Sequence, residues 1–269
     1  MLRASVLMLS LNLACSANTT DPSASAGASG ASSSAGSGAG GGTVQSGDDR
    51  VFVPEGLPNP PLSGQVADGL TLIAFTLRQG PSGLSLYAAV KNDRETPACE
   101  ASMTTYFLDQ AAQVVTTSSS VLESAHFYRL DTGVIIRCVA PGEIAMTGQA
   151  ELPKEIVLEE LGSLQHAFPA FTVDAIAPIE ALTVSDVKTV TTGVGTLYAG
   201  TLRNGLDVSA SSPRVTIFPV NRVGRPLSMA TTTGAGNELP ASGSWSFETG
   251  NVDAEGVSIA VYPSATFAR

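Results

Sequence analysis

Leu86–Val115, LYAAVKNDRETPACEASMTTYFLDQAAQVV, decides the fold. An apolar run, Leu86 to Val90, gives way to a polar loop from Asn92 to Pro97. A second run, Met103 to Leu108, is followed by the turn Asp109-Gln110-Ala111-Ala112 and by Val114-Val115, which opens a third. Short runs rich in β-branched and aromatic residues, bounded by Asn, Asp and Pro, are strand signals. A weaker copy starts at Leu197, LYAGTLRNGLDVSASSPRVTIFPVNRVGRPL. Leu70-Thr71 answers Leu182-Thr183, Leu86-Tyr87-Ala88 answers Leu197-Tyr198-Ala199, Asn92 answers Asn204, Tyr106-Phe107 answers Ile217-Phe218, Asp109 answers Asn221 and Gly142 answers Gly243. One supersecondary unit therefore occurs twice.

Around this pair the chain reads as short strands and turns. Leu70–Leu77 and Leu84–Lys91 flank Gln79-Gly80-Pro81-Ser82-Gly83 as a hairpin. The stretch from Arg50 to Ser63 holds four Pro and reads as an edge strand with an extended lead-in, because Pro lacks the donor a central strand needs. Ser119–Thr132 reads as an inserted loop, Val134–Val139 and Ile144–Leu152 as strands. Pro153–Leu164 has moderate helical character, with Pro at the first helical position and Val157 and Leu161 four apart; a strand from Ile156 to Leu161 is the alternative. In the second copy Leu182–Val190, Thr196–Leu202, Val215–Val220, Ser242–Glu248 and Val257–Tyr262 are strands. Scarce helix and regularly spaced turns predict an all-β protein, two tandem β-sandwiches with boundaries at 50–175 and 176–269.

The N-terminus predicts export. Arg3 precedes a short apolar run, Ala4 to Leu13, far short of the roughly 20 residues of a membrane span but suited to a signal peptide. The run ends in Leu13-Ala14-Cys15, similar to a bacterial lipobox, with 1–15 removed up to a lipidated Cys15; an ordinary signal peptide cut near Ala17 is the alternative. Residues 16–49 are dominated by Ser, Ala, Gly and Thr, too poor in apolar surface to offset ordering entropy, and read as a disordered tether. At roughly 5–6 Å × √n its mean reach is about 30 Å. Ser16, in place of an Asp retention signal, favours the outer membrane over the inner.

With Cys15 lipidated, Cys99 and Cys138 are an even pair in an oxidising compartment, where a bridge closing about 40 residues stabilises by roughly 3–4 kcal/mol. Two buried free thiols are the alternative. A net charge of -10, from 14 Lys+Arg and 24 Asp+Glu, argues against nucleic acid as a partner.

The order of Val90-Lys91-Asn92, Tyr106-Phe107-Leu108-Asp109, Val114-Val115 and Pro141-Gly142 resembles FxLYD-type domains. In the second copy Asn204, Phe218, Asn221 and Gly224 match, while Pro-Gly becomes Ser242-Gly243; in the first, Ala111-Ala112 occupies a turn where Gly is usual. The resemblance implies immunoglobulin-like sandwiches acting as an extracytoplasmic structural or binding module, and it brings no catalytic residues.

Chemistry is sparse. His126 and His166 have no partner at metal or motif spacing and read as surface or loop residues. Asp93 with Glu95 is a possible cation or acid–base pair, more simply a solvated loop. Asn251–Gly256 begins like a calcium loop but has Tyr262 in place of the bidentate Glu. Trp245 reads as packing in the second core. No catalytic residue, metal or cofactor is expected. The predicted function is a non-catalytic, membrane-anchored binding or structural module of the cell envelope, with an envelope protein or polysaccharide as partner. The alternatives are a hydrolase assembled from loop residues such as His126, or a solute-binding lipoprotein. The Asn92–Pro97 loop is the surface to watch, since modules of this kind act through loops.

Overall fold

Gly83–Asn92 is buried along nearly its whole length, on both faces. A strand covered on both sides reads as a continuous apolar run rather than an alternation, as Leu86–Val90 does. The computed structural model describes residues 51–52, 69–80, 83–172, 178–193, 195–233, 236–252 and 256–267. Cys15, the leader and tether at 1–49, the proline-rich stretch from 53 to 63 and the 253–255 part of the calcium-like loop lie outside the described residues.

The first strands are β1 (Val51–Phe52), β2 (Leu70–Gly80), β3 (Gly83–Asn92), β4 (Ala98–Cys99), β5 (Ser102–Asp109) and β6 (Val114–Val121). Next come β7 (Phe127–Arg129), β8 (Ile135–Val139), β9 (Ile144–Gln149), β10 (Leu161–Ala167), β11 (Phe171–Thr172) and β12 (Pro178–Ile179). The rest are β13 (Leu182–Thr192), β14 (Gly195–Asn204), β15 (Ala210–Val220), β16 (Ala230–Thr233), β17 (Glu238–Leu239), β18 (Ser244–Glu248) and β19 (Ser258–Phe267). The protein is all-β. Its only helical piece among the described residues is a 3-10 turn at Leu158–Glu160.

Sheet β1-β2-β3-β9 and sheet β10-β5-β6 enclose a core that includes Leu77, Leu86, Met103, Phe107 and Leu164. Sheet β13-β14-β18 and sheet β19-β15-β16 enclose a second, around Leu202, Ile217 and Phe247. The strand order of β2-β3-β9 over β10-β5-β6 is thus repeated by β13-β14-β18 over β19-β15-β16. Registers repeat too. Leu70 faces Asn92 and Thr71 faces Lys91, while Leu182 faces Asn204 and Thr183 faces Arg203. Turn chemistry follows suit. Asp109 Oδ1 accepts from the amides of Ala111 (2.8 Å) and Gln113 (2.9 Å), and Asn221 Oδ1 from those of Val223 and Arg225 (3.0 Å each).

The first sandwich also holds a five-stranded sheet of order β11-β4-β8-β7-β12. Its β11-β4-β8 part is matched by β19-β15-β17, since Ala98 faces Val139 and Thr172 as Ala210 faces Leu239 and Phe267, whereas β7 and β12 have no counterpart among the described residues. Ser119–Thr132, expected as an inserted loop, instead completes β6 at Ser119–Val121 and contributes β7 to this sheet. Cys99 and Cys138 face each other across β4 and β8 and are disulfide-bonded. The β7–β8 hairpin carries Phe127 into the second core, where its ring meets Phe267 edge-on at 5.8 Å. The second sandwich therefore does not rely on its own core alone. A third cluster joins the outer faces of the two sandwiches through Ala89, Met146, Phe218, Val220 and Tyr262. Thr76 Oγ1 donates to Pro226 O (2.8 Å) and Tyr262 Oη to Ile144 O (2.9 Å) across the same junction.

The expected helix at Pro153–Leu164 is absent, and so is the alternative strand at Ile156–Leu161. After the 3-10 turn the chain enters β10 and pairs with β5. Gly162 shows why tertiary pairing won: a Cβ there would lie 2.3 Å from Asp109 O, so the strand approaches β5 closely. β15 and β19 are longer than their sequence signals, β15 because a bulge between Ser211 and Arg214 carries the strand past Pro213.

Candidate functional site

The Asn92–Pro97 loop leaves β3 as one wall of an open groove of about 540 Å³. Asn92 fixes that wall. Fully buried, it donates from Nδ2 to Thr96 O (3.1 Å) and Val139 O (2.9 Å) and accepts at Oδ1 from the Arg94 amide (3.0 Å). Asn204 repeats the device in the second sandwich, donating to Val208 O (2.8 Å) and Pro240 O (3.1 Å) and accepting from the Leu206 amide (3.0 Å). The opposite wall is Ala140-Pro141, held to Asn92 by the Gly142 amide on Asn92 O (2.7 Å). Gly142 has φ +75, a conformation suited to glycine. Tyr128 and Pro178, directly opposed in the β7–β12 pair, also line the groove. Three prolines, Pro97, Pro141 and Pro178, therefore border it.

Glu143 knits the groove together from behind. Its carboxylate accepts from the amides of Ala140 (2.7 Å) and Ala125 (3.0 Å) and from Ser124 Oγ (3.0 Å). His126, half-exposed on the groove, brings Nδ1 to 2.9 Å from Glu143 Oε2, an ion-pair distance without the alignment of a hydrogen bond. Ser124 is fully buried, and its hydroxyl also donates to Cys138 O (2.6 Å). The disulfide packs on Tyr128, so the bridge backs the groove as well as the sheet. Burial, and then the Glu143 charge, raise the Tyr128 phenol above its ordinary pKa. The same causes, burial first and then Glu143 and Glu123, raise that of Tyr262.

The sequence-predicted residues divide. His126 is a loop residue as expected, beside a carboxylate. His166 is not: it sits in β10 and is buried, its Nδ1 3.0 Å from Thr105 Oγ1 and its ring tilted against Phe75 at 5.1 Å. Burial lowers its pKa to about 4. The alternation of Leu164, His166 and Phe168 was the available signal that this His faces inward. Asp93 and Glu95 do not act as a pair. Asp93 is held by Lys91 at 2.5 Å, and hydrogen bonds from Lys91 and Thr71 lower its pKa, whereas Glu95 lines the groove. Trp245 packs against the second core, half-buried beside Phe247. Among the described residues no group of three or more His, Cys, Asp or Glu is placed to hold a metal ion. Sequence reasoning singled out neither Glu143 nor Tyr128, whose roles depend on a turn and a hairpin meeting in space.

No family model matches the chain, and no curated protein matches it. Among solved structures, red sea bream transglutaminase is similar over 73% of this chain and 29% of its own, at 11% identity and a TM-score of 0.22. The chain spans less than a third of that enzyme's length, and a likeness at that score bears on neither fold nor function. No helix among the described residues is long and apolar enough to cross a membrane.

Proposed function

We propose that the protein is an exported, non-catalytic binding module of the bacterial envelope, lipid-anchored at Cys15 and built of tandem immunoglobulin-like sandwiches of the FxLYD kind. The observation that carries the reading is the groove, built from the Glu95–Pro97 loop, the Ala140-Pro141 turn and the β7–β12 pair of an otherwise rigid β-framework. Its volume lies in the range of ligand-binding clefts. A buried disulfide supports an extracytoplasmic setting, since intracellular thiols are kept reduced. The apolar run before Cys15 and the Ser/Gly/Ala stretch after it support an outer-membrane anchor and a tether.

A second reading, a hydrolase, is favoured by the His126–Glu143 contact beside the groove. Against it, Ser124 is no free nucleophile, because its hydroxyl is buried and committed to Cys138 O and Glu143. The anchoring test is metabolic labelling of the full chain with an alkyne fatty acid in a bacterial host. The wild-type chain is expected to take up label and sediment with membranes, and Cys15→Ser to do neither. Label on both chains, or on neither, contradicts the proposal.

A further inference from the structure

We infer that the groove receives a basic side chain, lysine or arginine, presented by an extended partner polypeptide, an inference that rests on the binding-module reading above. Among the described residues no lysine or arginine lines the groove, whereas Glu95 does, exposed and without an ion-pair partner. Lys91 is engaged with Asp93 and Arg137 with Glu123, and neither Arg94 nor Arg129 belongs to the lining. Behind the lining lies Glu143, whose charge reaches the Tyr128 hydroxyl strongly enough to help raise its pKa. The field within the groove is therefore negative.

Pro97, Pro141 and Pro178 supply apolar walls around that field. A basic side chain suits such a site because its carbon stem packs on apolar surface while its head reaches a carboxylate. Tyr128 and Thr96 add hydroxyls at the lining. The groove is open rather than enclosed, so a side chain can enter while its own backbone runs past outside.

The chain has 2 His, which makes the test direct. The full chain is labelled with ¹³C-histidine, held in detergent micelles, and titrated with acetyl-Ala-Ala-Lys-Ala-Ala-amide and with its norleucine and glutamate counterparts. The lysine peptide is expected to move the His126 signal saturably and leave that of buried His166 in place. Glu95→Gln is expected to weaken binding about fivefold, and Asp131→Asn, an exposed acid on the β7–β8 turn, to leave it unchanged. If the norleucine or glutamate peptide binds as well as the lysine one, or Glu95→Gln changes nothing, the basic-ligand inference is overturned while the groove remains a binding site. If no peptide moves His126, the groove reading falls with it.

Discussion

Asn92 and Asn204 show how much of this molecule rests on single polar side chains. Each is fully buried, and each ties its loop to a neighbouring turn through donors and an acceptor that water cannot replace. Asn92→Ala leaves Thr96 O, Val139 O and the Arg94 amide without their partner. It should cost about 3 kcal/mol, read as a lowered urea midpoint. Ala112 makes the opposite case. It adopts φ +60 at the place where the second sandwich has Gly224 at φ +77. Ala112→Gly should therefore stabilise by roughly 0.5–1 kcal/mol, which a thermal melt can register. His166 sets a pH limit. An unfolded histidine binds its proton below about 6.5, the folded one only below about 4. Between those values the unfolded chain holds more protons. Stability present above pH 6.5 is thus lost as the pH falls toward 4, by about 3 kcal/mol in all. His166→Gln should flatten that part of a stability–pH profile. Both Asn residues and the Asp109 and Asn221 turns were legible in the sequence, because a turn advertises itself locally. His166 was legible only through its alternation with Leu164 and Phe168, which a reading of the histidine by itself passes over.

Among the elements, the β7–β8 hairpin has the widest consequences. One end is tied to β4 by the Cys99–Cys138 bridge; from the other, Phe127 enters the second core. Phe127→Ala should cost about 3–5 kcal/mol and perturb residues around Phe267, seen as lost amide-exchange protection in β19. The bridge itself should resist reduction under native conditions, because its two residues are 0% and 1% exposed. The repeated strands were legible from alternation, length and turn residues. The continuous run Leu86–Val90 also carried a message, that β3 is covered on both faces, as the third cluster shows. Pro153–Leu164 misled because its Val157 and Leu161 spacing is helical, whereas the chain's backbone partners lie some fifty residues away in β5. Such non-local pairing leaves no periodic trace.

At the scale of the whole molecule, the two sandwiches share a wall. Thr76, Tyr262, the third cluster and Phe127 all cross the junction. The groove lies against the same hairpin, so its shape depends on that junction being rigid. The duplication was legible in the sequence; the coupling was not, because, Phe127 apart, it arises from contacts between strands far apart in the chain. The coupling makes the two halves unfold together. Trp245, the only tryptophan, lies in the second sandwich and reports on it alone. The direct measurement is urea unfolding of the Cys99→Ala/Cys138→Ala double variant, followed by Trp245 fluorescence and by far-ultraviolet circular dichroism. Loss of a bridge in the first sandwich should lower the Trp245 midpoint, with both signals still coincident and a stability loss of about 4 kcal/mol. A Trp245 midpoint that stays in place while the dichroism splits into two transitions would show the sandwiches to be independent.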